Sequence, residues 1–400
     1  MKKARFVKAA VAVLSLSFVL ATPANAVDLA GSGASFPANL IEGCKAGFAK
    51  SSTHTYQYLS SSSGTGRKNA IAGTGQFWFS DGVFPAADKP ATMKHAPIVA
   101  GPIGILYNLN GNAGKTLTLS AATIAGIFGG TITKWNDPAI VKDANRTVTT
   151  TTYVTKNGVI VKNADGSNKV LRVKTSKISF TLPNRPIKVV YRSDDSGTTT
   201  NFVNYLKGAP ATDLGWTSSG VFSTAIKSTG TTVDAAGNLG RFLGRGSSLG
   251  VANEVKATVD SIGYAEPSYA GGASRVSNVY NASGSPVDPL TPGSVAAFLS
   301  AAQTGSEEAK YTGVAGTAEG TYKFNYKTTE KGAYPISIVS YLVFNTEYSS
   351  ASTAAAVKEL ATYILSPACA QTVGADLGFA VITGKAKETA EKMIAQIAAK

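Results

Sequence analysis

The stretch Ile187–Leu206 constrains this chain more than any other. Ile187-Lys188-Val189-Val190-Tyr191 has strand character and ends at Arg192. Ser193-Asp194-Asp195-Ser196-Gly197-Thr198 then turns the chain, and an amphipathic helix follows through Leu206. A strand, a corner and a helix in that order gather a guanidinium, hydroxyls and free backbone N–H groups at the positive end of a helix, where anions bind. Arginine adds a planar fork suited to a tetrahedral oxyanion. The plain alternative is an N-capped helix beside a surface arginine, because Ser and Asp are common caps. This stretch alone does not choose between the two.

The amino-terminal residues narrow the context. Lys2, Lys3, Arg5 and Lys8 precede an apolar run, Ala9 to Ala21, and Ala24-Asn25-Ala26 has the small residues of a cleavage site. Residues 1–26 read as a secretory signal peptide, since the apolar run is too short to span a bilayer. The expected product is periplasmic or secreted, with no cysteine at the cleavage site to carry a lipid. At 400 residues, two domains are expected. The net charge is +14, but Lys134, Lys142, Lys174, Lys177 and Lys188 are dispersed among Ser and Thr. Nucleic-acid binders concentrate such charge in a stripe, so a surface that attracts small anions fits better. Cys44 and Cys369 are the only cysteines, and either one disulfide or two buried thiols accounts for them. With only His54 and His95 besides, no metal-ligand spacing and no cofactor motif can be found.

Three partial motifs lack their context. Gly246-Ser247-Ser248-Leu249-Gly250 fits G-x-S-x-G, but no histidine follows residue 95 to complete a hydrolase triad. Gly114-Lys115-Thr116 resembles the end of a P-loop, yet Leu109 stands at its first glycine. Gly31-Ser32-Gly33 opens like a dinucleotide loop, with Phe36 where the third glycine belongs. Elsewhere helices and strands alternate: a helix from Pro37 to Lys50, a strand from Tyr56 to Ser60, a turn at Ser63-Gly64-Thr65-Gly66, a helix from Arg67 to Ala72, a strand ending at Asp81, and buried strands over Ile98–Asn108 and Val339–Phe344. That alternation predicts α/β sheets with ligands at the carboxyl ends of strands. Residues 146–182 differ. They are rich in Thr, Val and Lys, and Asn157-Gly158 and Asp165-Gly166 predict an inserted β-hairpin.

Taken together, Gly31-Ser32-Gly33-Ala34-Ser35-Phe36-Pro37, Ser63-Gly64-Thr65-Gly66, Ser80-Asp81, Lys134-Trp135-Asn136-Asp137-Pro138-Ala139-Ile140, Arg192-Ser193-Asp194-Asp195-Ser196-Gly197-Thr198, Ile262-Gly263-Tyr264-Ala265-Glu266 and Tyr334-Pro335-Ile336 resemble the PstS family, the phosphate-binding proteins of ABC-type phosphate importers. The resemblance implies a two-lobed periplasmic-binding-protein fold of type II with two chain crossings. One lobe would combine residues 27–104 with 336–400, and residues 105–335 would form the other. Cys44 and Cys369 would then share a lobe, which favours their disulfide.

Carried over by position, the resemblance implies phosphate ligands at Ser35, the Phe36 backbone N–H, Ser63, Asp81, Arg192, Ser196, Gly197 and Thr198, with Asp194 orienting the arginine. An ionised Asp81 can only accept a hydrogen bond, so it asks for a proton on the ligand, which hydrogen phosphate has and sulfate lacks. The implied protein is a monomeric binding protein, not an enzyme. It has no cofactor, does not bind nucleic acid, and has inorganic phosphate and a membrane-embedded ABC permease as partners. The alternatives are a binding protein for another oxyanion and a secreted phosphatase-like protein. Phe77-Trp78-Phe79 stands where the family has small residues, and so crowds the site or fills a core.

Overall fold

The computed structural model describes residues 26–84, 88–209, 215–227, 233, 236–302, 321, 322 and 324–400. The signal-peptide reading lies outside the described residues.

The expected mixed α/β fold is built on two five-stranded sheets. In chain order the elements that frame the site are β1 (Asp28–Ala34), α1 (Ala38–Ser51), β2 (Thr55–Ser61), α2 (Ser63–Ile71), β3 (Phe77–Ser80), β4 (Met93–Pro102), β5 (Gly104–Asn108), β6 (Lys188–Arg192), α3 (Gly197–Gly208), β7 (Phe242–Arg245), α4 (Ser247–Ala257), β8 (Ser261–Ala265), β9 (Arg275–Val276) and β10 (Ser337–Asn345). The first sheet has the order β2-β1-β3-β10-β4 and the second β7-β6-β8-β5-β9. Each holds three parallel strands, β2-β1-β3 and β7-β6-β8, flanked by antiparallel partners. β3 and β8 are wholly buried, whereas the edge strand β2 buries only Tyr56.

The chain leaves the first sheet at Pro102, enters the second at Gly104, and returns at Ser337. The sequence reading of one strand over Ile98–Asn108 is corrected to two strands in different sheets, with Ile103 between them. The outward and return segments are tied together: Ile103 N–H donates to Ile336 O at 2.7 Å, and the Tyr334 hydroxyl donates to Ile103 O at 2.8 Å.

Phe77-Trp78-Phe79 fills core rather than the site. Strand alternation sends Phe77 and Phe79 to one face, against Tyr56 and Tyr58. Trp78 goes to the other face, among Ala70, Phe84, Met93 and Val343. Residues 146–182 form the expected ribbon, with Arg146–Tyr153 antiparallel to Val170–Ile178 and the second strand almost wholly exposed. Asn157 and Gly158 have φ of 53° and 78°, as a two-residue hairpin turn between Thr155–Lys156 and Val159–Ile160 requires.

Cys44 of α1 and Cys369 are joined by a disulfide across 325 residues, with Cα atoms 5.3 Å apart and both residues fully buried. The bond pins α1 to the short helical turn Pro367–Gln371. Replacing both cysteines with serine should lower stability by about 2–4 kcal/mol in denaturant unfolding. The unreduced protein should give no thiol reaction when denatured; two titratable thiols would reject the bridge.

Candidate functional site

Both parallel triads end facing the same place. β1 runs out into Ser35 and Phe36, β3 into Asp81, β6 ends on Arg192, β7 leads into Ser248, and β8 into Glu266. Loops at the carboxyl ends of parallel strands are where open α/β sheets hold ligands.

Arg192 is 1 % exposed. Asp194 grips it with two bonds, Nε to Oδ1 at 2.7 Å and Nη2 to Oδ2 at 2.6 Å. Burial alone would lower the arginine's pKa, but the bonds and charge of Asp194 outweigh it and leave the pKa raised. The guanidinium is therefore a fixed positive charge in a buried place. Nη1 is turned the other way and meets Ser248 Oγ at 3.2 Å.

Ser196 caps α3 by accepting the Thr199 N–H at 3.2 Å. Gly197 follows because nothing larger fits: a Cβ there would lie 2.5 Å from Gly82 N and 2.6 Å from Ser63 Oγ. The start of α3 thus lies directly against the end of β3. Thr198 donates through Oγ1 to Asp81 Oδ2 at 3.0 Å.

Asp81 is buried, with each carboxylate oxygen already accepting one hydroxyl: Oδ2 from Thr198 and Oδ1 from Ser340 Oγ at 2.7 Å. Burial pushes its pKa up to about 6, while the Ser340 and Thr198 bonds and the charges of Arg192 and Arg67 pull it back. Asp81 is thus largely ionised at neutral pH, and each oxygen retains acceptor capacity. Its backbone is held as tightly. The Asp81 N–H donates to Ser63 Oγ at 3.1 Å, and Asn201 Nδ2 donates to the Asp81 carbonyl at 2.7 Å.

The turn expected at Ser63-Gly64-Thr65-Gly66 is corrected. These residues are the first turn of α2, and Ser62 is the cap, accepting the Thr65 N–H at 3.1 Å. Ser and Gly in a helix's first turn read as a loop by composition, and the contact with the other sheet overrides that propensity. Ser35 lies on the Arg192 side. Its Oγ donates to Ser248 Oγ at 3.0 Å and accepts the Ser248 N–H at 2.9 Å. The Phe36 ring is buried edge-on to Phe379, with centroids 5.4 Å apart.

The structure therefore brings Ser63, Asp81, Gly197 and Thr198 into one contact group. Ser35, Arg192 and Asp194 form a second group through Ser248. The charge of Arg192 acts on Asp81, so the two groups share one field. Contacts between the sheets close over them: Arg67 Nη2 pairs with Asp195 Oδ2 at 2.9 Å, Gly64 N–H donates to Asp195 O at 2.9 Å, and Asn39 Nδ2 donates to Ser268 Oγ at 2.9 Å.

Five residues of this site were missed from sequence. Ser340 is one of the few polar side chains in the apolar run of β10, and a hydroxyl within such a run was the available signal. Ser248 sits in the G-x-S-x-G stretch. A strand precedes it and a helix follows it, but the hydroxyl serves Arg192, Ser35 and Glu266. Asp195 and Glu266 lie in stretches that carry the family resemblance but were given no role there, and Arg67 gave no signal beyond its residue type. His54 accepts the Val27 N–H at 3.1 Å, away from these groups. Among the described residues, no cluster of His, Cys, Asp and Glu could hold a metal ion, and no helix is long and apolar enough to cross a membrane.

A family model described as a PBP superfamily domain matches residues 20–368. Phosphate-binding protein PstS 2 of Mycobacterium tuberculosis is 30 % identical over 272 residues, covering 68 % of this chain and 58 % of that protein, so the chain spans somewhat more than half of that relative's length. Phosphate-binding protein PstS 3 of Mycobacterium leprae is 28 % identical over 351 residues, covering 82 % of this chain and 76 % of that protein. Among solved structures, the high-affinity periplasmic phosphate-binding protein PfluDING, bound with phosphate, superposes with a TM-score of 0.65 at 19 % identity, covering 91 % of this chain and 93 % of that one. A phosphate-binding protein from Stenotrophomonas maltophilia gives 0.61 at 19 % identity, covering 92 % and 93 %. These structures establish the two-lobed fold. The strand-end constellation and the family match over residues 20–368 agree: the chain belongs to the PBP superfamily, as a relative of the PstS phosphate-binding proteins.

Proposed function

We propose that this protein is an exported solute-binding protein that captures inorganic phosphate between its lobes and delivers it to a membrane-embedded ABC-type phosphate permease. The observation that carries the reading is Asp81, a buried carboxylate that is largely ionised at neutral pH and lies in the field of the buried Arg192. Such a pair selects an anion that also bears a proton. Arg192 supplies the charge. Ser35, Ser63, Ser196 and Thr198 supply hydroxyls, and the N–H groups of Phe36, Gly197 and the first turn of α3 supply the remaining donors. Asp81 takes the proton of hydrogen phosphate through its remaining lone pairs. Against sulfate the same carboxylate would face an oxygen with no proton, a buried like-charge contact that costs several kcal/mol. Asp81 thus disfavours sulfate and molybdate as alternative ligands, while arsenate, which carries a proton, is expected to bind.

In this reading the lobes are residues 27–104 with 336–400, and residues 105–335. The strand membership of the two sheets and the paired crossings at Ile103 and Ile336 support that division. Opening of the cleft would separate Asp81 from Thr198, Ser35 from Ser248, and Arg67 from Asp195, and closure around the ligand would restore these contacts. A basic leader with an apolar run, and a disulfide suited to an oxidising compartment, support export. The protein acts by binding rather than by catalysis, and as a monomer.

Two measurements test the site. Arg192→Ala should weaken phosphate binding by roughly 2–5 kcal/mol in calorimetric titration, as when a buried charge pair loses one member. Unchanged affinity would move the site elsewhere. Asp81→Asn should still bind phosphate but lose at least tenfold of the phosphate-over-sulfate preference at neutral pH, or about 1.4 kcal/mol, because an amide N–H can face a sulfate oxygen. Wild-type protein should lose preference in the same sense as pH falls through about 6, where Asp81 gains a proton and becomes a donor. Competition titrations that show a preference independent of both changes would exclude Asp81 as the discriminating acceptor.

A further inference from the structure

Glu266 follows directly on β8 and is 1 % exposed. Its Oε1 accepts from Ser248 Oγ at 3.2 Å, and its Oε2 has no hydrogen-bond partner among the described residues. The Ser248 hydroxyl is fully used. It accepts from Arg192 Nη1 at 3.2 Å and from Ser35 Oγ at 3.0 Å, and its one proton goes to Glu266. The Ser248 N–H donates to Ser35 Oγ. The carboxyl therefore ends a hydroxyl relay whose other branches are two residues of the proposed anion site.

The charge balance decides the form this carboxyl takes. Asp81 and Arg192 face Glu266 from the ends of β3 and β6, and Tyr269 faces it from the turn that follows β8. Arg192 is already matched by Asp194. An ionised Glu266 would leave Oε2 as a buried anionic oxygen with no donor, in the same field as Asp81, the arrangement that low-dielectric surroundings penalise most. Burial foremost, with the charge of Asp81 adding to it, raises the Glu266 pKa well above its ordinary value, against the pull of its own backbone N–H, Arg192 and Ser248. With its proton on Oε2, the group still offers Oε1 to Ser248 as an acceptor.

Resting on the phosphate reading above, we propose that Glu266 is a positioning residue of the anion site that serves as a neutral acid. It fixes the Ser248 hydroxyl, and through it Ser35 and Arg192, without adding negative charge where an anion must enter. Two carboxyl groups then divide the work. Asp81 is ionised and reads the ligand's proton, while Glu266 is neutral and holds the donors in place.

The test combines infrared spectroscopy with phosphate titration at pH 8, where Asp81, with a pKa of about 6, has lost its proton. Wild-type protein without ligand should show a protonated-carboxyl carbonyl band that Glu266→Gln removes. Glu266→Gln keeps a neutral acceptor toward Ser248 and should bind phosphate within threefold of wild type. Glu266→Ala and Ser248→Ala should each weaken binding at least tenfold while retaining cooperative thermal unfolding. A missing band, a Gln variant as weak as the Ala variant, or an Ala variant that binds like wild type would overturn the proposal. The infrared band needs no ligand, so wild-type protein that shows the band yet binds no phosphate would reject the phosphate reading instead.

Discussion

The site depends first on the burial of Arg192 against Asp194. A guanidinium taken out of water needs a partner, and the two parallel bonds from Asp194 supply one while fixing the plane of the fork. The pair is close to neutral as a unit, so it can be carried at the end of β6. Its unmatched direction, Nη1, points toward Ser248 and Ser35, and its field reaches Asp81. If Arg192 were solvated, Asp81 would lose a stabilising charge and Ser248 would lose a donor. The two contact groups would then no longer be coupled.

Topology explains why groups so distant in sequence converge. Each sheet has three parallel strands, and all their carboxyl ends point into the space between the sheets. Among the described residues the chain passes from the first sheet to the second around Ile103 and returns beside it at Ile336, where a backbone hydrogen bond joins the two segments. The disulfide ties α1 to the helical turn Pro367–Gln371, 325 residues away in sequence.

Much of the fold could be read from sequence because local chemistry dictated it. The apolar runs of β6 and β10, the cap at Ser196 and the Asn157-Gly158 turn all formed as their residues predict. Boundaries failed where tertiary contact overrode local preference. α2 begins at Ser63 rather than Arg67, because its first turn is held against Asp81 and Asp195. The apolar run Ile98–Asn108 divides at Ile103, because hydropathy is equally high on both sides of a change of sheet.

By itself, the sequence determined which chemistry was available: one arginine at a strand end, hydroxyls and glycines at helix starts, and a carboxylate after β3. These follow from residue type and spacing, which local geometry converts directly into donors and acceptors. Only the tertiary structure decided which of these groups touch. Ser340 reaches Asp81 across 259 residues, and Ser248 reaches Ser35 across 213. Burial, likewise a property of the assembled chain, gave two carboxyl groups of similar intrinsic acidity different environments. Asp81 has a hydroxyl donor on each oxygen, whereas Glu266 has one oxygen without a partner. Desolvation and the count of donors depend on three-dimensional neighbours, and no spacing along the chain encodes them.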